Sequence, residues 1–126
     1  MTTLITREQL LELVNAQRAV VIDALPSAYF EQVHIPGALN LVESDVDALA
    51  PGLLPDRDAL IVTYCSNTAC PNSAAVARRL ESLGYRNVGK YAEGIQDWVA
   101  AGLPTESGPA RRSVSGLSPA GRRRDE

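Results

Sequence analysis

The sequence predicts an α/β fold, a small and mostly parallel β-sheet flanked by helices on both faces. Three observations carry this. Ala19-Val20-Val21-Ile22-Asp23 and Leu60-Ile61-Val62-Thr63-Tyr64 are short, β-branched-rich runs without polar alternation, as in strands covered on both sides. Segments with apolar residues at helical spacing separate such runs. Strand and helix patterns alternate up to residue 104, the order that forms parallel sheets.

In chain order, Leu4-Ile5 reads as a short edge strand. Thr6-Arg7-Glu8-Gln9 has capping-box form, Thr6 as N-cap and Gln9 three positions on, and opens a helix to about Ala16 with Leu10, Leu11 and Val14 as its stripe. The strand ending at Asp23 follows, then Pro26-Ser27 opens a short helix from about Ala28 to Gln32. His34-Ile35-Pro36-Gly37-Ala38 is a turn, Leu39-Leu41 a brief strand, and Ser44 caps a short helix to about Leu49. Pro51-Gly52 and Pro55-Asp56 punctuate the loop before the strand Leu60–Tyr64. A helix from Ala74 to Leu83 buries Val76, Leu80 and Leu83, starts from an N-cap at Asn72 or Ser73, and stops at Gly84 in the C′ position. Val88-Tyr91 is a further strand. The last helix, from Glu93 or Gly94 to Ala101, places Ile95, Trp98 and Val99 on its buried side and ends at Gly102-Leu103-Pro104.

The chain has 126 residues, 45% hydrophobic and 21% charged, which suits one soluble domain with a core of its own. Residues 1–104 form that domain. Residues 105–126 are a Gly/Pro/Ser/Arg-rich tail, too poor in apolar side chains to offset its ordering entropy, and are expected to be disordered. The net charge of −3 is uneven: residues 1–104 hold seven basic against twelve acidic side chains, the tail five arginines against three acids. An acidic body argues against nucleic acid as a partner. The absence of a long apolar run or a signal-like N-terminus leads to the expectation of a cytoplasmic protein without a membrane partner. Two cysteines and one distant histidine make no zinc signature, and no metal or cofactor is expected.

Both cysteines lie in Cys65-Ser66-Asn67-Thr68-Ala69-Cys70-Pro71-Asn72-Ser73, between a strand's carboxyl end and a helix N-terminus. Unpaired amides of the helix's first turn facing this loop would favour a thiolate. Cys65 is therefore expected to be the ionised, reachable nucleophile, although a buried free thiol acting as a small hydrophobe is the plainer alternative. Cys70 is a resolving thiol, a disulfide partner of Cys65, or a loop residue without chemistry, and the sequence leaves these open.

Three segments in order resemble the rhodanese family of sulfurtransferases. They are Val21-Ile22-Asp23 leading to Val33-His34-Ile35-Pro36-Gly37-Ala38-Leu39-Asn40; Tyr64-Cys65 with its loop, the Ala-rich helix and Leu83-Gly84-Tyr85; and Tyr91-Ala92-Glu93-Gly94-Ile95-Gln96-Asp97-Trp98 with Ala101-Gly102-Leu103-Pro104. The resemblance implies that Cys65 attacks the outer sulfur of a donor, thiosulfate or a low-molecular-weight persulfide, and carries it as a persulfide to a thiol or cyanide acceptor. A protein acceptor is a further option. Ser66, Asn67, Thr68, Ala69 and Cys70 would form the substrate-binding loop, with inward amides stabilising the terminal sulfur. Asp23 and His34 would be structural supports. The chain departs from the family in lacking the Arg shortly after Asp23, in Val33 and Glu93 replacing glycines, and in a loop about two residues longer that carries no Arg or Lys. Two other readings compete. A cysteine phosphatase or arsenate reductase needs Arg where this chain has Pro71. A Cys65/Cys70 redox sensor or a non-catalytic binding module is the third.

Overall fold

A computed structural model describes residues 2–109. Five strands form a single parallel sheet: β1 (Thr3–Leu4), β2 (Val20–Asp23), β3 (Leu39–Asn40), β4 (Leu60–Tyr64) and β5 (Asn87–Tyr91). Their spatial order is β1-β5-β4-β2-β3. Five helices accompany them: α1 (Arg7–Ala16), α2 (Ser27–Gln32), α3 (Val46–Leu53), α4 (Asn72–Ser82) and α5 (Gly94–Ala100).

Side chains alternate across each strand, so the apolar runs fill two cores at once. Ile22, Ile61 and Val88 point to one face and pack with Val46 and Ala50 of α3 and Val76, Ala77 and Leu80 of α4. Val21, Val62, Tyr64 and Tyr91 point to the other and pack with Leu10 of α1, Phe30 of α2 and Ile95 and Trp98 of α5. This double coverage explains why β2 and β4 carry almost no polar residue. The chain leaves β2 through α2 on one face and β4 through α4 on the other. The carboxyl ends of these paired neighbours therefore flank a switch point in the connectivity, where open α/β sheets place their ligands.

The capping box of α1 forms as read: the Thr6 hydroxyl accepts the Gln9 amide and the Gln9 side chain accepts the Thr6 amide. At the end of α4, Gly84 adopts φ +97°, with its amide on Glu81 and the Tyr85 amide on Leu80, a Schellman closure.

Several local expectations are corrected. Ser44 caps nothing; it lies inside a 3₁₀ turn, Glu43–Asp45, that leads into α3 without a side-chain cap. Pro51 and Gly52 sit in the last turn of α3 rather than in a loop, because the preceding turn and the buried Val46 and Ala50 carry the helix through them. Neither Asn72 nor Ser73 caps α4. Pro71 holds the N-cap position, and both side chains serve other groups. Val99 is 49% exposed, since α5 is short and buries only the stripe of Ile95 and Trp98. Past residue 104 the chain stays bonded to the domain: Glu106 exchanges backbone hydrogen bonds with His34, and the Gly108 amide donates to Glu31. The rest of the expected tail, 110–126, lies outside the described residues. No helix among the described residues is long and apolar enough to cross a membrane.

Candidate active site

β4 delivers Cys65 to its carboxyl end, where the chain turns into the loop that precedes α4. That turn is held by a segment much later in the chain. The first amides of α5 donate to it, Ile95 to the Cys65 carbonyl at 2.8 Å and Gln96 to the Ser66 carbonyl at 3.1 Å. Gly94, at φ +75°, lies so close that a Cβ there would meet the Cys65 oxygen at 2.5 Å. The loop itself is an Asn67-centred turn: Asn67 Oδ1 accepts the Ala69 amide, its carbonyl accepts the Cys70 amide, and its Nδ2 donates to Gln96 Oε1. Thr68 and Ala69 form the exposed tip.

This arrangement brings the two cysteines together and then treats them differently. Both are free thiols, and the two residues meet where the Cys65 thiol donates to the Cys70 carbonyl. Cys65 is 1% exposed, and its Sγ is 3.4 Å from the Cys70 carbonyl and 3.5 Å from Ser73 Oγ. Burial, and then the hydrogen bond with Cys70, push its pKa up, against the Ser73 hydroxyl and amide. Cys70 is only half-buried. Burial works against its ionisation too, but is outweighed by donors converging on the sulfur: the Cys65 thiol, the amides of Ser66 and Asn72, and the Ser66 hydroxyl. Its pKa falls. The expectation of an ionised, reachable Cys65 is thus corrected: its sulfur is buried at the strand end, and burial raises its pKa.

Of the residues between the two cysteines, Ser66 alone acts on the Cys70 thiol through both its amide and its hydroxyl. The Ala69 and Cys70 amides are spent inside the turn. Sequence reasoning treated Ser73 only as a cap candidate; it in fact lines the Cys65 sulfur. The signal available was its place in the first turn of α4, directly below the thiol. Asn72 ties the helix start to the end of β2 through the Ala24 carbonyl at 3.3 Å. Ala24 and Asn72 also border a cleft of 590 Å³ at the switch point, lined by Asn40, Glu43 and Asp45 and without Lys or Arg.

Asp23 is fully buried beside this cleft. Its Oδ1 accepts the Leu25 amide at 2.9 Å and its Oδ2 accepts the Tyr64 hydroxyl at 2.8 Å, and Tyr64 in turn accepts the Ile35 amide. The missing arginine is thus replaced by a tyrosine from the adjacent strand. Asp23 binds together β2, β4 and the His34-to-Ala38 turn, and it touches neither thiol. Burial raises its pKa to about 6, against the Leu25 and Tyr64 hydrogen bonds. Between the ordinary value near 3.8 and about 6, the native state holds a proton that the unfolded chain has lost. Stability therefore rises as pH falls from about 6 to about 4, by roughly 3 kcal/mol. Urea titrations of wild type and Asp23→Asn should differ in this window, the variant losing this component of the pH dependence. Parallel pH profiles would refute it.

His34 stacks on Phe30 at 3.8 Å, its Nδ1 lies 2.7 Å from the Phe30 carbonyl and its Nε2 3.7 Å from Glu106. It makes no hydrogen bond to the cysteine loop among the described residues and serves the turn. Among the described residues no three His, Cys, Asp or Glu side chains converge as a metal site.

The family model for the rhodanese-like domain matches residues 6–101. The HTH-type transcriptional regulator Rv0324 of Mycobacterium tuberculosis is 33% identical over 104 residues, 82% of this chain but only 45% of that protein, so the chain spans under half of this relative. The uncharacterized protein YibN of Escherichia coli is 31% identical over 106 residues, 82% of this chain and 72% of that one. The thiosulfate sulfurtransferase GlpE of Actinobacillus succinogenes is 27% identical over 105 residues, 83% and 91% of the two chains. Among solved structures, a rhodanese-related protein from Thermoplasma volcanium superposes with a TM-score of 0.71 at 24% identity, covering 82% of this chain and 97% of that one. A thiosulfate sulfurtransferase from Pseudomonas aeruginosa gives 0.71 at 22%, covering 88% and 21%. These likenesses establish the fold.

Proposed function

The chain belongs to the rhodanese-like domain family, and from that premise we propose that it moves sulfane sulfur from a small donor to a thiol or cyanide acceptor through a persulfide formed at the Cys65–Cys70 pair. One observation carries the reading. Two free thiols stand at the carboxyl end of the central strand, at the start of α4, with Cys65 Sγ 3.4 Å from the Cys70 carbonyl and 3.5 Å from Ser73 Oγ, and neighbouring donors lower the pKa of Cys70. A thiolate so placed can attack the outer sulfur of a donor and keep it, and the same donors then stabilise the charge on the persulfide.

The surroundings favour one donor class. Thiosulfate concentrates two negative charges, yet the loop has no cation and the neighbouring cleft presents Glu43 and Asp45. This supports a low-molecular-weight persulfide as donor over thiosulfate. Incubation with glutathione persulfide, thiosulfate or 3-mercaptopyruvate, followed by intact-mass measurement, tests both points. The persulfide should add one sulfur atom, or leave the protein two hydrogens lighter with sulfide released. Thiosulfate should act at least about tenfold more slowly, a difference of about 1.4 kcal/mol in barrier. If no donor changes the mass and no sulfide appears, sulfur transfer is not this domain's activity.

A further inference from the structure

The sheet ends at β1, and that edge carries a feature the cysteine site does not use. A pocket of about 360 Å³ opens there, lined by Thr2 and Leu4 at β1, Lys90 on β5, and Ala74, Arg78 and Glu81 on α4. Its walls follow from local geometry. The register sets Leu4 opposite Lys90, and Ala74 and Arg78, four residues apart, share one face of α4. Gly89 lets β1 pack this tightly, since a Cβ there would meet Ile5 Cγ1 at 2.7 Å and the Thr3 carbonyl at 3.2 Å.

The charges in the pocket set it apart. Elsewhere in the domain Arg7, Arg79 and Arg86 pair with Asp97, Asp47 and Asp58. Arg57 donates to the Leu83 carbonyl and lies over the Tyr85 ring. Arg78 and Lys90 pair with no carboxylate among the described residues, although the domain is acidic. Glu81, the one acid of the lining, is engaged: its Oε1 accepts the Thr2 hydroxyl at 3.1 Å. Two cations around one concavity concentrate positive potential inside it. We infer that this pocket binds a tetrahedral dianion, a phosphate or sulfate group, at a site separate from the cysteine loop. The planar fork of Arg78 matches two oxygens of such a group, and Lys90 supplies a point charge to a third. Leu4, 68% exposed, and Ala74 offer apolar surface to the carbon part of an ester. The volume lies at the small end for organic ligands, which suits an ester of a few carbons rather than a nucleotide. The inference uses neither cysteine, so it and the sulfur-transfer reading stand or fall separately.

Backbone amide NMR of the full chain, titrated with inorganic phosphate, sulfate or chloride at constant ionic strength and about pH 7.5, tests it. Phosphate or sulfate should shift the amides of Leu4, Ala74, Arg78 and Lys90 saturably, with half-saturation in the millimolar range, and chloride should not. The oxyanion that binds more tightly identifies the source of the dianion. Arg78→Gln and Lys90→Gln should each weaken binding about tenfold or more. Arg18→Gln, which removes a cation outside the pocket, should bind as wild type does, and so should Cys65→Ser/Cys70→Ser. Shifts that never saturate, saturable shifts confined to residues 65–73, or undiminished binding by Arg78→Gln and Lys90→Gln overturn the inference. Amide dispersion in the same spectra verifies that each variant is folded.

Discussion

Gly94→Ala is expected to lower the unfolding free energy by about 3 kcal/mol and to slow sulfur loading with it. Two costs add at this position. An L side chain at φ +75° pays roughly 1–2 kcal/mol for the left-handed conformation. The new Cβ would also lie 2.5–2.7 Å from backbone atoms of Cys65 and Ser66. Backbone cannot swing aside as a side-chain tip can, so relief comes only by moving the cysteine turn away from α5, at a further 1–3 kcal/mol or so. The Ile95 and Gln96 hydrogen bonds to the Cys65 and Ser66 carbonyls would stretch, and the donors around Cys70 would lose their alignment. Gly102→Ala is the matched control. It has a nearly identical φ, +74°, with nothing within 4 Å of the added Cβ, so it bears the conformational cost alone. Thermal melts and persulfide loading of both variants decide the matter. Equal losses in the two would show that the close approach to the cysteine turn counts for nothing.

The second large effect is expected when both thiols are replaced. Cys65→Ser/Cys70→Ser should reduce sulfur transfer by about 10³-fold or more, to the rate of donor and acceptor alone, because no nucleophile remains in the loop. The fold should persist, since Thr63, Tyr64 and Val76 keep their buried places around the strand end and serine nearly matches cysteine in size. Assay of transfer to cyanide or a thiol, with circular dichroism as the folding control, measures it. Near-wild-type transfer by the folded double variant would place the chemistry elsewhere in the molecule.

Much of this architecture was legible in the chain. The apolar runs at 19–23 and 60–64, the Thr6 capping box and the Gly84 stop rest on local preferences that tertiary packing did not oppose. The misreadings share one cause. Ser44, Asn72 and Ser73 have the side chains of helix caps, yet tertiary partners recruit Asn72 to Ala24 and Ser73 to the Cys65 sulfur, and the 3₁₀ turn leaves Ser44 without a cap to make. Val99 has helical spacing but belongs to a helix too short to bury it. Asp23 looked like a loop acceptor and is one, but its Tyr64 partner lies 41 residues away and no local pattern announces it.

By itself the sequence determined that two thiols would stand between the central strand and the following helix, since strand and helix propensities and the loop length are local properties. Only the tertiary structure decided which thiol is buried and which is half-buried with its pKa lowered. That depends on how the core, the turn braced by Gln96, and the amides of Ser66, Asn72 and Ser73 share two sulfurs in space. A thiol's ionisation is set by the donors and the solvent that surround it, and these are assembled only when the sheet and its helices have come together.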